Sequence, residues 1–300
     1  MPRTVQVHQV DAFTRIQFTG NPAGVVLEAD VLSDGEMLAI ARELNNADTA
    51  FVLKADGADH DLRIRFFTPR TEVAFVGHAS LAAHYVLSAA AHATRRLRQK
   101  SRAGIVEVDI RGADAQRRIA IRQGAPALGR EINERERLAV MDALALTSHD
   151  LNPQCPVQVV GASSTRLMVG VRGAEQLRQL KPDVSRLTTL SAQLGAQGFF
   201  VFTLAPELPE VLTESRMFCP ALGIAEDPVS GNAHGMLGVY LASHRLLGAA
   251  AERMQFAGAQ GHHVNRPGRV EIELELQDEA VTGVWIVGQA TAIFETRISL

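Results

Sequence analysis

The chain has 300 residues, of which 46% are hydrophobic and 21% charged, and its formal net charge is -3. This length fits two domains of ordinary size, and the composition is typical of a globular protein. No long basic run occurs, which disfavours nucleic acid as a partner, and no apolar run is long enough to span a membrane. The N-terminal residues lack the apolar core of a signal peptide, and the two cysteines suggest neither a disulfide framework nor a zinc cluster. We therefore expect a cytoplasmic protein.

The first part of the chain predicts strands and one capped helix. Apolar and polar residues alternate at 4–11 and 62–67, as in half-buried strands, and an apolar run predicts a strand at 49–53. Ser33 and Glu36 have the spacing of a capping box, in which a hydroxyl and a carboxylate each accept a hydrogen bond from a free backbone N–H. A helix is therefore predicted directly after Ser33.

A long apolar helix is predicted from residue 79 to about residue 92. Its apolar residues cannot share one narrow stripe, so we expect a sheet to wrap around this helix. The short basic run at 95–100 is interpreted as a solvated loop. A Gly-Ala-Pro break at 124–126 is the candidate linker, which gives a first domain at 1–123 and a second at 124–287.

The second half of the chain predicts three helices and several strands. Helical periodicity favours helices at 133–146, 184–194 and 232–247. Apolar runs and alternation predict strands at 157–160, 167–171, 199–204, 270–276, 284–287 and 290–299.

Two stretches of the chain repeat each other. The pattern R-x-F-x-P occurs at 65–69 and again at 216–220, and G-x-A follows at 77–79 and at 231–233. Each G-x-A opens an apolar helical pattern. Because self-similarity of this kind marks a structural repeat, we predict two related strand–loop–helix units.

The repeat also selects the candidate site residues, since free N–H groups at a helix start attract anions. His78 and Asn232 occupy the same place in the two copies, and the longer second loop carries Asp227. Any of them could instead cap a turn or a helix, as Asp, Asn and His often do. The candidates are Asp48, Gly77, His78, Asp227, Gly231 and Asn232.

Other chemical motifs are missing or weak. The chain has no G-x-G-x-x-G after a strand and no Walker loop, so nucleotide binding lacks support. The neighbouring His262 and His263 have no spaced partner, which favours a loop pair over a metal site. The G-x-S-x-G frame of a nucleophile elbow is absent around His78. For Cys219, packing is the favoured role.

Several segments together resemble the PhzF-like phenazine-biosynthesis isomerase family. They are DAFT, GNPAGVVL, IARELNNADTAFV, FFTPRTEVAFVGHASLAAHYV and MFCPALGIAEDPVSGNAHGMLGVYL. The resemblance covers nearly the whole chain and implies the diaminopimelate-epimerase-like fold. That fold has two pseudo-symmetric α+β domains, each a curved mixed sheet or barrel around a central buried helix, with the site between them. It further implies that a last strand at about 288–300 completes the first domain. Such proteins are commonly homodimers and need no metal or organic cofactor.

The resemblance also assigns roles to residues. The acid/base glutamate of the family falls on Asp48, because S-E-T in the family is Ala-Asp-Thr at 47–49 here. The substrate-binding histidine falls on His78 and the aspartate on Asp227. The family motif D-P-V-T-G-S becomes D-P-V-S-G-N at 227–232. Aspartate is shorter than glutamate, and a misplacement of the carboxylate on that scale costs roughly 10²-fold in rate.

We therefore predict a cofactor-independent isomerase that moves a proton on a small carboxylated metabolite, with Asp48 as acid and base. No organic cofactor and no metal ion are expected. Asp227 is expected to hold an amine or a hydroxyl of the substrate. Residues at the two helix starts are expected to hold the carboxylate: Gly77, His78, Gly231 and Asn232.

Two alternatives remain open. One is an amino-acid racemase or epimerase, which in this fold uses two thiols, one just before each repeat glycine. Those places hold Val76 and Ser230, neither of which is a useful base, so the two-thiol route is disfavoured. The other alternative is a catalytically silent protein that binds a small molecule, which the replacement of glutamate by Asp48 permits.

Overall fold

The computed structural model describes residues 3–89, 94–161, 164–248 and 252–300, and it is a sheet-rich α+β protein. The chain divides into two compact units. Unit 1 comprises Met1–Gln123 and Val287–Leu300, and unit 2 comprises Gly124–Ile286. In the described ranges, no helix combines the length and the apolar character needed to cross a membrane.

The strands are, in chain order, β1 (Thr4–Ala12), β2 (Asn21–Val26), β3 (Asp48–Lys54), β4 (Leu62–Phe67), β5 (Glu72–Val73), β6 (Arg95–Ser101), β7 (Gly104–Arg111), β8 (Arg118–Gly124), β9 (Leu128–Glu131), β10 (Gln158–Gly161), β11 (Thr165–Val171), β12 (Gly198–Thr203), β13 (Thr213–Cys219), β14 (Ile224–Asp227), β15 (Arg253–Gln260), β16 (Gly268–Gln277), β17 (Ala280–Gly288) and β18 (Ala290–Ser299). The α-helices are α1 (Asp34–Leu44), α2 (Gly77–Leu87), α3 (Glu134–Leu144), α4 (Ala174–Gln179), α5 (Val184–Leu194) and α6 (Gly231–Ser243).

In unit 1, a curved mixed sheet wraps around α2. Strand β1 pairs antiparallel with both β2 and β18, β2 runs parallel to β3, and β3 pairs antiparallel with β4. Helix α2 contacts β1, β2, β3 and β18, and its residues from Ala79 to His84 are buried on every side. Helix α1 covers the opposite face of the sheet with Met37, Ile40 and Ala41. The all-round apolar pattern of α2 is therefore explained by burial within its own sheet.

Unit 2 has the same arrangement around α6. Strand β11 runs parallel to β12, β12 pairs antiparallel with β13, and β13 runs parallel to β15. Helix α6 contacts β10, β11 and β16 and is buried from Ala233 to Leu241. Helices α3 and α5 pack against the other face of this sheet through leucine and valine side chains. Each unit therefore has one helix inside the curve of the sheet and at least one helix outside it.

Each unit contains its own arginine contact, and the two contacts have the same form because the R-x-F-x-P pattern is repeated. In unit 1, Arg65 donates from Nε and Nη2 to the carboxylate of Glu72 at 2.9 and 2.8 Å. In unit 2, Arg216 donates in the same way to Glu226 at 2.9 and 2.7 Å. Each guanidinium also lies over the phenylalanine of its own motif, 5.2 and 5.1 Å from the ring centroid. The predicted repeat therefore extends to side-chain geometry.

Several local predictions are confirmed. Ser33 Oγ accepts from the backbone N–H of Glu36 at 3.3 Å, and the Glu36 carboxylate accepts from Ser33 N–H at 2.8 Å, so the capping box is present. Helix α5 and strand β18 have the predicted bounds. Helix α2 runs from Gly77 to Leu87 and is capped at Ser88, so it begins slightly earlier than predicted, and the end predicted near residue 92 is wrong.

The interpretation of the basic run at 95–100 as a loop is wrong, because these residues form β6. Leu97 and Gln99 are buried, whereas Arg96 and Arg98, which alternate with them, are exposed. Ser80 Oγ donates to Gln99 Oε1 at 2.6 Å, and His84 Nε2 bonds to the same oxygen at 2.8 Å. A polar residue thus occupies an inward position because α2 supplies its hydrogen-bond partners, which hides the alternation expected of a strand.

Candidate active site

Asp48 and His78 come together in unit 1. Asp48 is the first residue of β3, and His78 is the second residue of α2. Their side chains approach to 3.8 Å between Asp48 Oδ2 and His78 Nε2, with 14% and 11% of the respective side chains exposed. Two groups that can accept a proton therefore lie side by side, almost removed from solvent.

The protonation state of His78 follows from its surroundings. Burial lowers the pKa of the His78 imidazole to about 4, against the opposing effect of a hydrogen bond to the backbone of Pro22. Proline offers only a carbonyl, so the ring nitrogen facing it must donate. Nε2 is buried and has no hydrogen-bond partner among the described residues. At neutral pH, Nε2 is therefore a lone-pair acceptor beside the Asp48 carboxylate.

The start of α2 adds backbone donors to this part of unit 1. The residue before the helix, Val76, is extended and provides no side-chain cap for the first-turn N–H groups. Apart from its two chain neighbours and the nearby backbone of its own helix, no atom of the described residues lies within 4 Å of the position that a Cβ on Gly77 would occupy. The helix start therefore has open space beside it, and its dipole favours an anion there.

In unit 2, the loop before α6 is fixed by one glutamine. Gln260 Nε2 donates to the Asp227 carbonyl at 2.6 Å, and Gln260 Oε1 accepts from Ser230 N–H at 3.0 Å. Gly261 follows with φ +90°, and a Cβ there would come within 2.7 Å of the Pro228 carbonyl oxygen. This close approach requires glycine, and it holds the Asp-Pro-Val-Ser loop in one conformation.

The start of α6 differs from that of α2 because a side chain caps it. Ser230 Oγ accepts from Ala233 N–H at 3.3 Å, as an N-cap serine does. Asn232 is partly buried and donates from Nδ2 to Ser164 Oγ at 3.4 Å. Asp227 ends β14 and is partly buried. The structure thus places Asp227, Gly231 and Asn232 around one helix start.

The six predicted residues fall into two groups, one in each unit. Asp48, Gly77 and His78 lie together in unit 1, whereas Asp227, Gly231 and Asn232 lie together in unit 2. That all six act on one substrate stays a prediction. Ser164 and Gln260, which hold Asn232 and the loop before α6, were not identified from the sequence, because an isolated serine or glutamine carries no motif.

Neither cysteine has the properties of a reactive thiolate. Burial raises the pKa of Cys155 to about 11 and that of Cys219 to about 12, so both are neutral thiols at pH 7. Val76 and Ser230 hold the N-cap positions where two-thiol enzymes need cysteine. In the described part of the chain, no three His, Cys, Asp or Glu side chains form a group that could hold a metal ion.

The fold matches solved structures along its whole length. A phenazine biosynthesis protein of the PhzF family from Bacillus anthracis superposes with a TM-score of 0.89 at 27% identity, covering 99% of this chain and 100% of that one. The α+β fold is therefore the predicted diaminopimelate-epimerase-like fold.

The sequence comparisons give the family. The family model described as phenazine biosynthesis-like protein, PhzC-PhzF, matches residues 10–296. An uncharacterized isomerase of Clostridium acetobutylicum is 37% identical over 100% of both chains. The trans-2,3-dihydro-3-hydroxyanthranilate isomerase of Pseudomonas aeruginosa is 30% identical over 97% of this chain and 98% of its own. The chain belongs to the PhzF-like phenazine-biosynthesis family, and it is an isomerase.

Proposed function

We propose that the protein is a cofactor-independent isomerase that transfers a proton within a small carboxylated metabolite, with Asp48 as the acid and base. One observation carries the proposal. The Asp48 carboxylate lies 3.8 Å from a buried, neutral His78 whose Nε2 has no partner among the described residues. A buried acceptor in that state suits a substrate that brings its own hydrogen-bond donor.

The chemistry assigned to Asp48 is the removal of a proton from one carbon and its return to another. A carboxylate can do this when the moving proton comes within hydrogen-bond reach. In the proposal, His78 Nε2 accepts a hydrogen bond from an amine or hydroxyl of the substrate and so orients the substrate beside Asp48. This orienting role needs the neutral ring, which the low pKa of His78 supplies.

The substrate carboxylate is assigned to the helix starts, where N–H groups and the dipole favour negative charge. Gly77 and His78 would contribute from α2, and Gly231 and Asn232 from α6. Asp227 would hold an amine or a hydroxyl. We also propose that the protein is a homodimer, as the family resemblance implies.

The relative from Pseudomonas aeruginosa supplies the first compound to test, trans-2,3-dihydro-3-hydroxyanthranilate. Asp48 stands where the family has glutamate, so this chain is expected to process that compound slowly or to prefer a smaller or differently placed carbon acid. A panel of cyclic and acyclic amino and hydroxy carboxylates therefore accompanies it.

The test is deuterium incorporation from D₂O into the compounds of the panel, followed by NMR and mass spectrometry. Asp48→Asn keeps the shape of the side chain but cannot accept a proton, so incorporation is expected to fall by roughly 10²-fold or more, with little change in melting temperature. Asp59→Asn, in the same unit and 62% exposed, is the matched control and should retain full incorporation.

Three outcomes would contradict the proposal. Full incorporation by Asp48→Asn would show that another group moves the proton. Binding of a carboxylate by the wild type, with no incorporation and no turnover on any compound, would favour the catalytically silent binder. Inversion of a stereocentre without migration of a double bond would favour an epimerase.

A further inference from the structure

The guanidinium of Arg166 is buried in unit 2 without an acidic partner. Arg166 lies near the start of β11 and is only 8% exposed. Its Nη1 donates to Ser164 Oγ at 3.2 Å and to the Thr165 carbonyl at 2.8 Å, while Nε has no partner in the described residues. Within those residues, no carboxylate reaches ion-pair distance. A buried charge in this state is costly unless something compensates it.

Neighbouring groups do not supply the missing charge. Cys219 lies close enough for Arg166 to act on its pKa, but burial raises that pKa to about 12, so the thiol is neutral. The charge of Asp227 also contributes to raising the pKa of this thiol. Both charges therefore influence one neutral thiol, and among the described residues Arg166 and Asp227 form no ion pair with each other.

A shared hydroxyl connects Arg166 to the start of α6. Ser164 Oγ accepts from Arg166 Nη1 at 3.2 Å and from Asn232 Nδ2 at 3.4 Å. Both lone pairs of this oxygen are thereby used, so its O–H remains as a donor. Asn232 is the second residue of a helix whose N-terminus already favours negative charge. A cation and the first turn of α6 thus meet at one hydroxyl group that keeps a free donor.

The stem of Arg166 is held by close packing. A Cβ on Gly198, in the adjacent parallel strand β12, would lie 3.1 Å from Arg166 Cδ. Glycine at this position therefore leaves the space in which the arginine stem runs. A side chain held in one place loses little conformational freedom when it binds a ligand, which suits a preformed site.

We infer that Arg166, Ser164 and the first turn of α6 form a carboxylate-binding subsite. The inference rests on the proposed function and deepens it, because Arg166 supplies the full positive charge that helix N–H groups lack. Guanidinium and hydroxyl donors would also take inorganic phosphate. The substrate carboxylate is the ligand assigned here, and phosphate is the competing source of the same chemistry.

The experiment is calorimetric titration of the full chain with acetate and, separately, with phosphate. Arg166→Met keeps most of the stem and removes the charge, so acetate affinity is expected to fall about 10- to 100-fold, as for the loss of a charged hydrogen bond. Arg166→Lys keeps the charge and should retain part of the affinity. Arg186→Met, at an exposed surface arginine of the same unit, controls for net charge and should bind acetate like the wild type.

Some results would overturn the inference. They are equal acetate affinity in Arg166→Met and the wild type, or Arg166-dependent binding of phosphate with none of acetate. If Arg166→Met does not fold, acetate is titrated into the wild type while the Arg166 Nε–H resonance is followed, with assignment through Arg166→Lys. An Nε–H shift that saturates with acetate supports the subsite, and an unmoved resonance rejects it.

The subsite and the proposed function can fail separately. Asp48→Asn should lower deuterium incorporation by roughly 10²-fold or more while leaving acetate affinity unchanged. The subsite alone would be rejected if Asp48→Asn lost incorporation and acetate affinity did not depend on Arg166. Arg166-dependent acetate binding together with full incorporation in Asp48→Asn would reject the role of Asp48 alone.

Discussion

Gln99 and Gly258 hold equivalent places in the two units. Gln99 pairs in parallel with Leu62 of β4, and Gly258 pairs in parallel with Thr213 of β13. Leu62 and Thr213 each precede the arginine of their repeat by the same interval. The equivalence shows that the repeat extends beyond the motifs to strands that the sequence comparison did not match.

At these two places, the size of the strand residue is complementary to that of the helix residue packed against it. In unit 1, the small Ser80 of α2 faces the long Gln99 and donates a hydrogen bond to it. In unit 2, the equivalent helix residue is His234, and the strand has Gly258. A Cβ on Gly258 would lie 2.5 Å from His234 Cδ2, so the bulky helix residue requires the smallest strand residue.

Gly258→Ala is therefore expected to destabilise the protein by about 1–3 kcal/mol or more, because it overpacks a filled interior. The loss should shrink when His234→Ala is also present, and a double-mutant cycle from urea unfolding measures this coupling. Gly35→Ala is the matched control, since its new Cβ meets no atom within 4 Å. In a helix, that change should stabilise by roughly 0.5–1 kcal/mol. If the changes in unfolding free energy at positions 258 and 234 were additive, they would contradict this complementarity of side-chain size.

The repeated arginine contact predicts unequal losses in the two units. Arg216 is 9% exposed as a side chain and also donates to the Leu177 carbonyl, whereas the Arg65 side chain is 24% exposed. Removing one partner of a buried pair costs about 3–5 kcal/mol, so Arg216→Met should approach this range and Arg65→Met should cost less. Urea unfolding followed by fluorescence and circular dichroism measures both. Equal losses would show that burial does not determine the contribution.

Three buried histidines predict a loss of stability in mild acid. Burial lowers the pKa of His78, His84 and His234 to about 4 in the folded chain, against 6.5 when exposed. Between pH 6.5 and 4, the unfolded state binds more protons than the folded state. The free energy of unfolding should therefore fall as pH decreases through this window, by up to about 1.4 kcal/mol per pH unit for each histidine.

The measurement is urea unfolding at a series of pH values, with His84→Gln as the test variant. This change removes one titrating group, so the slope of stability against pH should decrease by about one proton. Ser80→Ala perturbs the same hydrogen bonds around Gln99 without titrating and should keep the wild-type slope. An unchanged slope in His84→Gln would mean that this ring is protonated in the folded chain.

Gly77→Ala separates binding from folding at the start of α2. Outside its chain neighbours and the nearby helix backbone, the added methyl meets no atom of the described residues within 4 Å, so the melting temperature should not decrease. If the substrate carboxylate occupies that open space, turnover should drop by roughly 10-fold or more, since a methyl group there displaces the ligand. Thermal unfolding and the deuterium assay measure the two effects. Full turnover would remove the start of α2 from the proposed site.

The sequence predicts the fold well where local chemistry determines it. The capping box of Ser33 and Glu36 fixes the start of α1 independently of distant residues. Gly77 and Gly231 begin buried helices because the apolar pattern after each has no polar face, which leaves burial as the only stable arrangement. Strand β6 was missed because the inward position of Gln99 depends on partners in α2, which are distant in sequence.

The candidate site could be predicted only in part, for a related reason. Asp48 and His78 stand out through their neighbours in the sequence, and the structure places their side chains 3.8 Å apart. Arg166 has no such signal, since an arginine in an alternating strand is normally a solvated residue. Its importance depends on burial and on the absence of an acidic partner in the described residues, and both are properties of the folded chain.

The pairing of β1 with β18 affects the order in which the protein can mature on the ribosome. Pairs run from Thr4 with Ser299 to Ala12 with Ala290, so the sheet around α2 contains a strand that is synthesised only after the whole of unit 2. Unit 2 is complete once Ile286 has emerged, whereas unit 1 still lacks Val287–Leu300. Domains usually fold in the order of their synthesis. Here unit 1 begins first, but one edge of β1 stays unpaired until β18 has been synthesised, and by then unit 2 can already have folded around α6.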